Sequence, residues 1–177
     1  MRNRLYPPRG CDGDGMRTRT FTWEDPEALA AAARDGRTGL GFLQAIAAGE
    51  LPAPPIGRML GMDILEVAEG RAVFSLEPTE WMFNPIGSVH GGIAATVLDS
   101  CMGCAVQTTL PAGTGYTTSD LQVRYVRPMS VETGLIHAEG TVVHSGRRQA
   151  TAEGRLIAVA TGKLIATATT GCIILGP

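Results

Sequence analysis

Residues 91–108 constrain the chain more than any other stretch, because they read as a helix whose side chains are apolar or small on almost every face. A helix at a protein surface carries a polar stripe; this one has little beyond Thr96, Asp99 and Ser100, so it must be enclosed by neighbouring elements. The flanking sequence supplies strands to enclose it. Residues 59–67 and 72–76 precede the helix and are separated by the turn-like Ala68-Glu69-Gly70-Arg71. After Pro111-Ala112-Gly113, residues 115–127, 134–144, 147–160 and 163–174 all read as strands, with Ser145-Gly146 and Thr161-Gly162 as hairpin turns. In the first of these, Leu121, Val123 and Tyr125 alternate with Asp120, Gln122 and Arg124, which predicts one core face and one wet face.

Six strands around one inserted apolar helix predict an α+β hotdog arrangement, an antiparallel sheet wrapped around a central helix at about 91–108. An N-terminal helical segment is expected ahead of it. Asp25-Pro26 resembles an N-cap followed by proline at the first helical position, predicting a helix over 26–34. A second helix fits 40–48, stopped by Gly49, and the proline-rich 51–55 predicts a stiff extended connector. Residues 1–20 are rich in Arg, Gly, Pro and Asp without apolar periodicity; they are expected to form a flexible tail, leaving 21–177 as a single domain.

The formal net charge of −2 gives no reason to expect nucleic acid or an anionic membrane as partner. No apolar run is long enough to span a bilayer and no signal-peptide pattern opens the sequence, so a cytoplasmic location is expected, with Cys11, Cys101, Cys104 and Cys172 as reduced thiols.

The segment Asn84-Pro85-Ile86-Gly87-Ser88-Val89-His90-Gly91-Gly92 leads into the apolar helix. The first N–H groups of a helix lack intrahelical partners, so Gly91 and Gly92 offer donors at the positive end of the helix dipole, where a developing oxyanion can be held. Relief of a crowded helix start explains the same two glycines without any ligand. Asp99 lies mid-helix among Ala94, Ala95, Val97, Leu98 and Val106, where aspartate has poor propensity and burial of a carboxylate is costly unless it is used. Desolvation there would favour a general base, whereas a narrow polar stripe with Thr96 and Ser100 would be structural. The two features together suit thioester hydrolysis: water activated by a carboxylate attacks a carbonyl whose charge is held by backbone donors. Asn84 could orient that water or could simply be a turn residue before proline.

Asn84 through Asp99, with His-Gly-Gly and an aspartate nine residues after the histidine, resembles the PaaI-type branch of the hotdog thioesterases. The likeness extends to Gly-Leu-Gly-Phe-Leu-Gln at 39–44, the proline-rich connector, 116–121 and Arg127-Pro128. The resemblance implies an acyl-CoA thioesterase, free of cofactor, in which Asp99 is base or nucleophile, Gly91 is the oxyanion donor, and Asn84 helps place water or carbonyl. It also implies an assisting hydroxyl at Thr118, with Thr117 as the alternative, and a loop-orienting role for His90. A homodimer, as a dimer of dimers, is implied as well. Helix geometry agrees: Gly91 and Asp99 are eight residues apart, about 12 Å along an axis, too far for one thioester on one helix, so a two-fold partner must bring them together.

Competing motifs are weaker. Cys101-Met102-Gly103-Cys104 lies well inside the helix, where the dipole does not activate a thiol. His137 and His144, seven apart on one strand, are expected on opposite faces, and no metal site is predicted. Arg147 and Arg148 follow a hairpin turn, where solvated charge is usual, but the family's basic turn makes them candidates for CoA phosphates. A hotdog hydroxyacyl-thioester dehydratase using His90 and Asp99, and a non-catalytic acyl-CoA-binding module, are the alternatives.

Overall fold

The computed structural model describes residues 15–33 and 35–176. Four helices and six strands follow in order: α1 (Pro26–Ala32), α2 (Gly39–Ala47), α3 (Pro55–Leu60), β1 (Asp63–Ala68), β2 (Arg71–Leu76), α4 (Gly91–Gln107), β3 (Gly115–Tyr125), β4 (Ile136–Ser145), β5 (Gln149–Ala158) and β6 (Lys163–Leu175). The strands form one antiparallel sheet in the order β1-β2-β4-β5-β6-β3, with β1 and β3 at its edges. The sheet wraps α4, which is the hotdog fold expected from the sequence.

The helix meets the sheet through Ala94, Val97, Leu98, Cys101, Met102, Ala105 and Val106, all fully buried at the three-and-four spacing of one helical face. Burial of each larger aliphatic side chain there contributes about 1.5–3 kcal/mol. Two glycines let the helix come this close. A Cβ on Gly140 of β4 would lie 2.4 Å from the Cys101 carbonyl oxygen, and one on Gly154 of β5 would meet the Met102 side chain at 2.9 Å.

Enclosure is not complete, however. Gly92 is exposed and Ile93, Thr96, Asp99, Ser100 and Gln107 are half-buried, leaving one stripe of α4 uncovered by the chain's own sheet. The expectation of a fully buried helix therefore needs correcting for the single chain.

Several boundaries differ from the sequence reading. Met59 and Leu60 belong to α3, not to the first strand: Pro55 sits in its first turn and Gly61, at φ 73, ends it, so the connector is followed by a turn of helix before β1. The 26–34 helix ends at Ala32, with Arg34 outside the described residues. β3 stops at Tyr125 because the N–H groups of Val126 and Arg127 both converge on the Ile165 carbonyl, closing the ladder before Pro128. The β4–β5 connection comprises Gly146-Arg147-Arg148, closed by the Gly146 N–H donating to Gln149 O at 2.9 Å, so the turn lies one residue later than expected. A register shift between Val142 and His144 also returns His144 to the same outer face as His137, against expectation. The two still stand about 20 Å apart along the strand.

Of the expected tail, residues 1–14, with Cys11, lie outside the described residues. Arg17 pairs with Glu80, while Arg19 donates to the Met59 carbonyl and lies 3.9 Å over the Trp81 ring. The end of α4 is tied to the β1–β2 turn through Thr108, whose buried hydroxyl accepts from Gly70 N–H at 2.7 Å and donates to Ala105 O at 2.6 Å.

Candidate active site

The uncovered stripe of α4 carries the carboxylate. Asp99 is half-buried rather than enclosed, because it projects from the one side of α4 that the sheet leaves open. Its Oδ1 accepts a hydrogen bond from Thr118 Oγ1 at 2.9 Å. A bulge in β3 makes this pairing. Thr118 is opposite Cys172 of β6 and Asp120 opposite Gly171, so Ser119 is the extra residue. Tyr116 and Thr118 face the helix before the bulge, and Leu121 and Val123 face it after, although simple alternation would separate them. Thr117 is exposed, so Thr118 is the hydroxyl beside Asp99.

The bulge has its own support. Thr170, itself buried, donates from Oγ1 to the Asp120 carbonyl at 2.7 Å, and Gly171 leaves room for Asp120, whose carboxylate a Cβ there would meet at 2.3 Å.

At the N-terminus of α4, His90 is the cap: its Nδ1 accepts the Gly92 N–H at 2.8 Å. In the neutral ring the proton is then on Nε2. Gly92 is thus not a free donor, contrary to the sequence reading, because the cap consumes it. The Gly91 N–H makes no hydrogen bond among the described residues, while its carbonyl accepts from the Tyr125 hydroxyl at 3.0 Å. The Tyr125 ring lies so close that a Cβ on Gly91 would stand 3.1 Å from it. Tyr125 was expected in the core from its alternation with charged residues, yet it is 55% exposed and braces the helix start. Its phase in the strand, pointing toward the Gly91 side, was the available signal.

Asn84 organises the preceding loop. Its Oδ1 accepts from the N–H groups of Ile86 and Ser88 at 3.1 and 3.2 Å, and its Nδ2 donates to Ser88 Oγ at 3.0 Å. The loop is tied to the rest by Val89 N–H donating to Met129 O and His90 N–H to Met82 O, both at 2.8 Å.

Arg147 and Arg148 are exposed at the β4–β5 turn. That turn touches the far end of α4 through a 2.8 Å hydrogen bond between the Thr109 and Ser145 hydroxyls, so the arginines are remote from Gly91.

The cysteines do not behave as a redox pair. Burial, with the charge of Asp99 second, pushes the Cys104 thiol up to about 12, and burial pushes Cys101 still higher, so both stay protonated near neutrality. Burial likewise raises the Tyr116 hydroxyl. Among the described residues no group of three His, Cys, Asp or Glu is placed to hold a metal ion, and no helix is long and apolar enough to cross a membrane.

A sequence profile of the thioesterase superfamily matches residues 86–165, the stretch that carries Gly91, Asp99 and Thr118. The phenylacetic acid degradation-related protein of Ralstonia eutropha JMP134 superimposes with a TM-score of 0.66 at 30% identity, over 73% of this chain and 97% of that one. A protein of Halobacterium salinarum named as an esterase is 34% identical over 99 residues, 53% of this chain; the match spans 64% of that protein's length. The 1,4-dihydroxy-2-naphthoyl-CoA hydrolase of Listeria monocytogenes is 25% identical over 88 residues, covering 50% of this chain and 70% of the hydrolase. With the wrapped helix, the His-Gly-Gly start and the aspartate on its open stripe, these likenesses show that the chain belongs to the thioesterase superfamily, in the PaaI-type hotdog branch of thioester hydrolases.

Proposed function

We propose that the protein hydrolyses acyl- or aryl-acyl-CoA thioesters to the free acid and CoA, with Asp99 as base or nucleophile and the Gly91 N–H as oxyanion donor. The observation that carries this reading is the Thr118–Asp99 hydrogen bond on the open stripe of α4. It orients one carboxylate oxygen and leaves the other for chemistry. As base, Asp99 takes a proton from water as its oxygen attacks the thioester carbon; charge on the carbonyl oxygen is held by the Gly91 N–H, and collapse expels the CoA sulfur, which takes up the proton. As nucleophile, the carboxylate attacks the thioester carbon and the C–S bond breaks to release CoA as the thiolate, leaving a mixed anhydride; water then opens it to the free acid and the Asp99 carboxyl, whose proton passes to the thiolate.

The site is composite. Asp99 and Gly91 are about 12 Å apart along one helix, so a second copy, related by a two-fold axis, supplies the partner half. The open stripe and the adjoining edge strand β3, 11 residues long and paired as a strand, among the described residues, with β6 on one side only, are the surfaces such a copy would cover. Pairing of such dimers into tetramers extends this proposal. Asn84 is a positioning residue through the 84–88 loop, and His90 and Gly92 fix the start of α4.

The CoA portion of the reading draws on the Listeria relative's name and on Arg147 and Arg148. These arginines lie beyond the C-terminal end of α4, about 12 Å or more past Asp99 along the axis, a span that a pantetheine arm bridges to reach its phosphates. The dehydratase alternative would have to use His90 through Nε2, since its Nδ1 is taken by the helix cap.

Asp99→Asn tests the mechanism. It keeps the shape and the Thr118 partner but removes the base, so turnover of an acyl-CoA panel should fall by about three orders of magnitude or more while affinity stays near normal. Near-normal turnover in this variant defeats the proposal.

A further inference from the structure

We propose that Thr170, a buried residue of β6, is a positioning residue for the hydrolysis: its hydroxyl pins the bulge through which one strand, β3, orients Asp99 by way of Thr118 and Gly91 by way of Tyr125. The proposal rests on the thioesterase reading above and extends the site into the sheet behind it.

Parity makes the bulge necessary. Thr118 and Tyr125 are seven residues apart, an odd separation that puts two side chains on opposite faces of an unbroken strand. Yet both reach α4: the Thr118 hydroxyl donates to Asp99 Oδ1 at 2.9 Å, and the Tyr125 hydroxyl donates to the Gly91 carbonyl at 3.0 Å. The extra residue Ser119, between the pairs Thr118 with Cys172 and Asp120 with Gly171, reconciles the two. Without it, β3 could hold the carboxylate or the helix start, but not both.

A bulge on an edge strand needs an anchor, because among the described residues β3 is laddered on one side only. Thr170 supplies it. Thr170 is 3% exposed and stands opposite Leu121 of β3 and Ala152 of β5, so its neighbours in the sheet are apolar. Valine would fill that place equally well, and a hydroxyl buried there is costly unless it is bonded. Its bond goes to the bulge: Oγ1 donates to the Asp120 carbonyl at 2.7 Å, one residue past Ser119. Gly171 completes the seat, since a Cβ there would lie 2.3 Å from Asp120 Oδ2 and 2.9 Å from Ser119 Oγ. The ladder has four pairs on the Thr118 side of the bulge, Gly115 to Thr118, against six on the Tyr125 side. Loss of the anchor is therefore felt at Thr118 and Asp99 before it is felt at Tyr125 and Gly91.

The test is turnover of an acyl-CoA panel by the full chain carrying Thr170→Val, Thr118→Val or both. Thr170→Val should lower kcat about 5- to 10-fold with KM little changed, the worth of one neutral hydrogen bond, while Thr170→Ser keeps most of the activity. The double variant decides between positioning and mere stability: if Thr170 acts through Thr118, Thr170→Val costs nothing further once Thr118 is valine. Unchanged kcat in Thr170→Val, or a second full loss in the double variant, overturns the proposal. Should the valine variant not fold, Thr170→Cys, of serine's size with a weaker donor, takes its place in the same cycle. Crystal structures of the parent and the Thr170 variant read the contact without turnover: the Thr118 to Asp99 bond should lengthen past about 3.5 Å in the variant, and a bond left unmoved also overturns the proposal. If the bond is lost in the variant but the parent hydrolyses no acyl-CoA, the thioesterase reading fails and the positioning of Asp99 by Thr170 stands.

Discussion

Replacement of Gly140 by alanine tests whether the central helix rests on β4 backbone to backbone. The added methyl would lie 2.4 Å from the Cys101 carbonyl oxygen, 2.5 Å from its carbon and 2.7 Å from Met102 N, all main-chain atoms that no rotamer change can move. Relief requires α4 and β4 to separate by about 1 Å, which loosens contacts over the whole buried face. Overpacking of this kind costs about 2–3 kcal/mol after a gain of about 0.5 kcal/mol from a stiffer unfolded chain. For a chain of 177 residues that corresponds to a drop in Tm of about 5–10 °C. Gly154→Ala is the control. Its methyl would meet Met102 Cγ at 2.9 Å, Met102 Sδ at 3.0 Å and Leu98 Cδ2 at 3.1 Å, side-chain atoms that can swing aside. It should cost about 1 kcal/mol, or about 2–4 °C. The assay is thermal unfolding of both variants, with turnover measured below the transition. Because Asp99 is two residues from Cys101, retreat of the helix from β4 also alters the Thr118–Asp99 distance, so Gly140→Ala should lose activity even where it is folded. A Gly140→Ala protein that melts within about 2 °C of the parent, or that is more stable than Gly154→Ala, refutes the reasoning.

Thr118→Val removes the 2.9 Å hydrogen bond to Asp99 with little change in volume, and should lower kcat roughly 10- to 100-fold with KM little altered, the worth of one hydrogen bond to a charged group; Thr118→Ser should restore most of it. Unchanged kcat in Thr118→Val would remove the hydroxyl from the mechanism. An Asn84→Ala protein and an Asp99→Ala protein, each inactive and mixed after reversible dissociation, should regain activity, because each mixed dimer holds one intact composite site. Subunit exchange seen by mass spectrometry without recovered turnover would place the whole site in one chain.

The central helix and its sheet were legible in the sequence because residue type alone decides them: a run with Ala94, Val97, Leu98, Cys101, Met102, Ala105 and Val106 on one side has no stable place except against a sheet. Asp99 stood out for the same reason, as the one acidic residue in that run. What the sequence misled on was its surroundings. Calling the helix apolar on almost every face implied full burial, but small residues such as Gly92, Thr96 and Ser100 are equally at home on a stripe left open, and composition does not separate the two cases.

What alternation alone misplaces has a second physical cause. A period-two pattern assigns side chains to faces only as far as the next bulge, because one extra residue exchanges the faces of everything beyond it. Thr117 and Thr118 are chemically alike and adjacent, and the alternation that begins at Asp120 would put Thr117 on the face of Leu121. The extra residue at Ser119 reverses that assignment and turns Thr118 toward Asp99. The same arithmetic at Val143 overturned the expected separation of His137 and His144. What holds the bulge at Ser119 lies about fifty residues away, in the Thr170 hydroxyl bonded to Asp120 O and the missing side chain of Gly171. The family resemblance pointed to Thr118 with Thr117 as the alternative, but choosing between them by alternation would have required pairing β3 with β6 first: the carboxylate is a local feature of one helix, whereas its orientation is a property of the sheet.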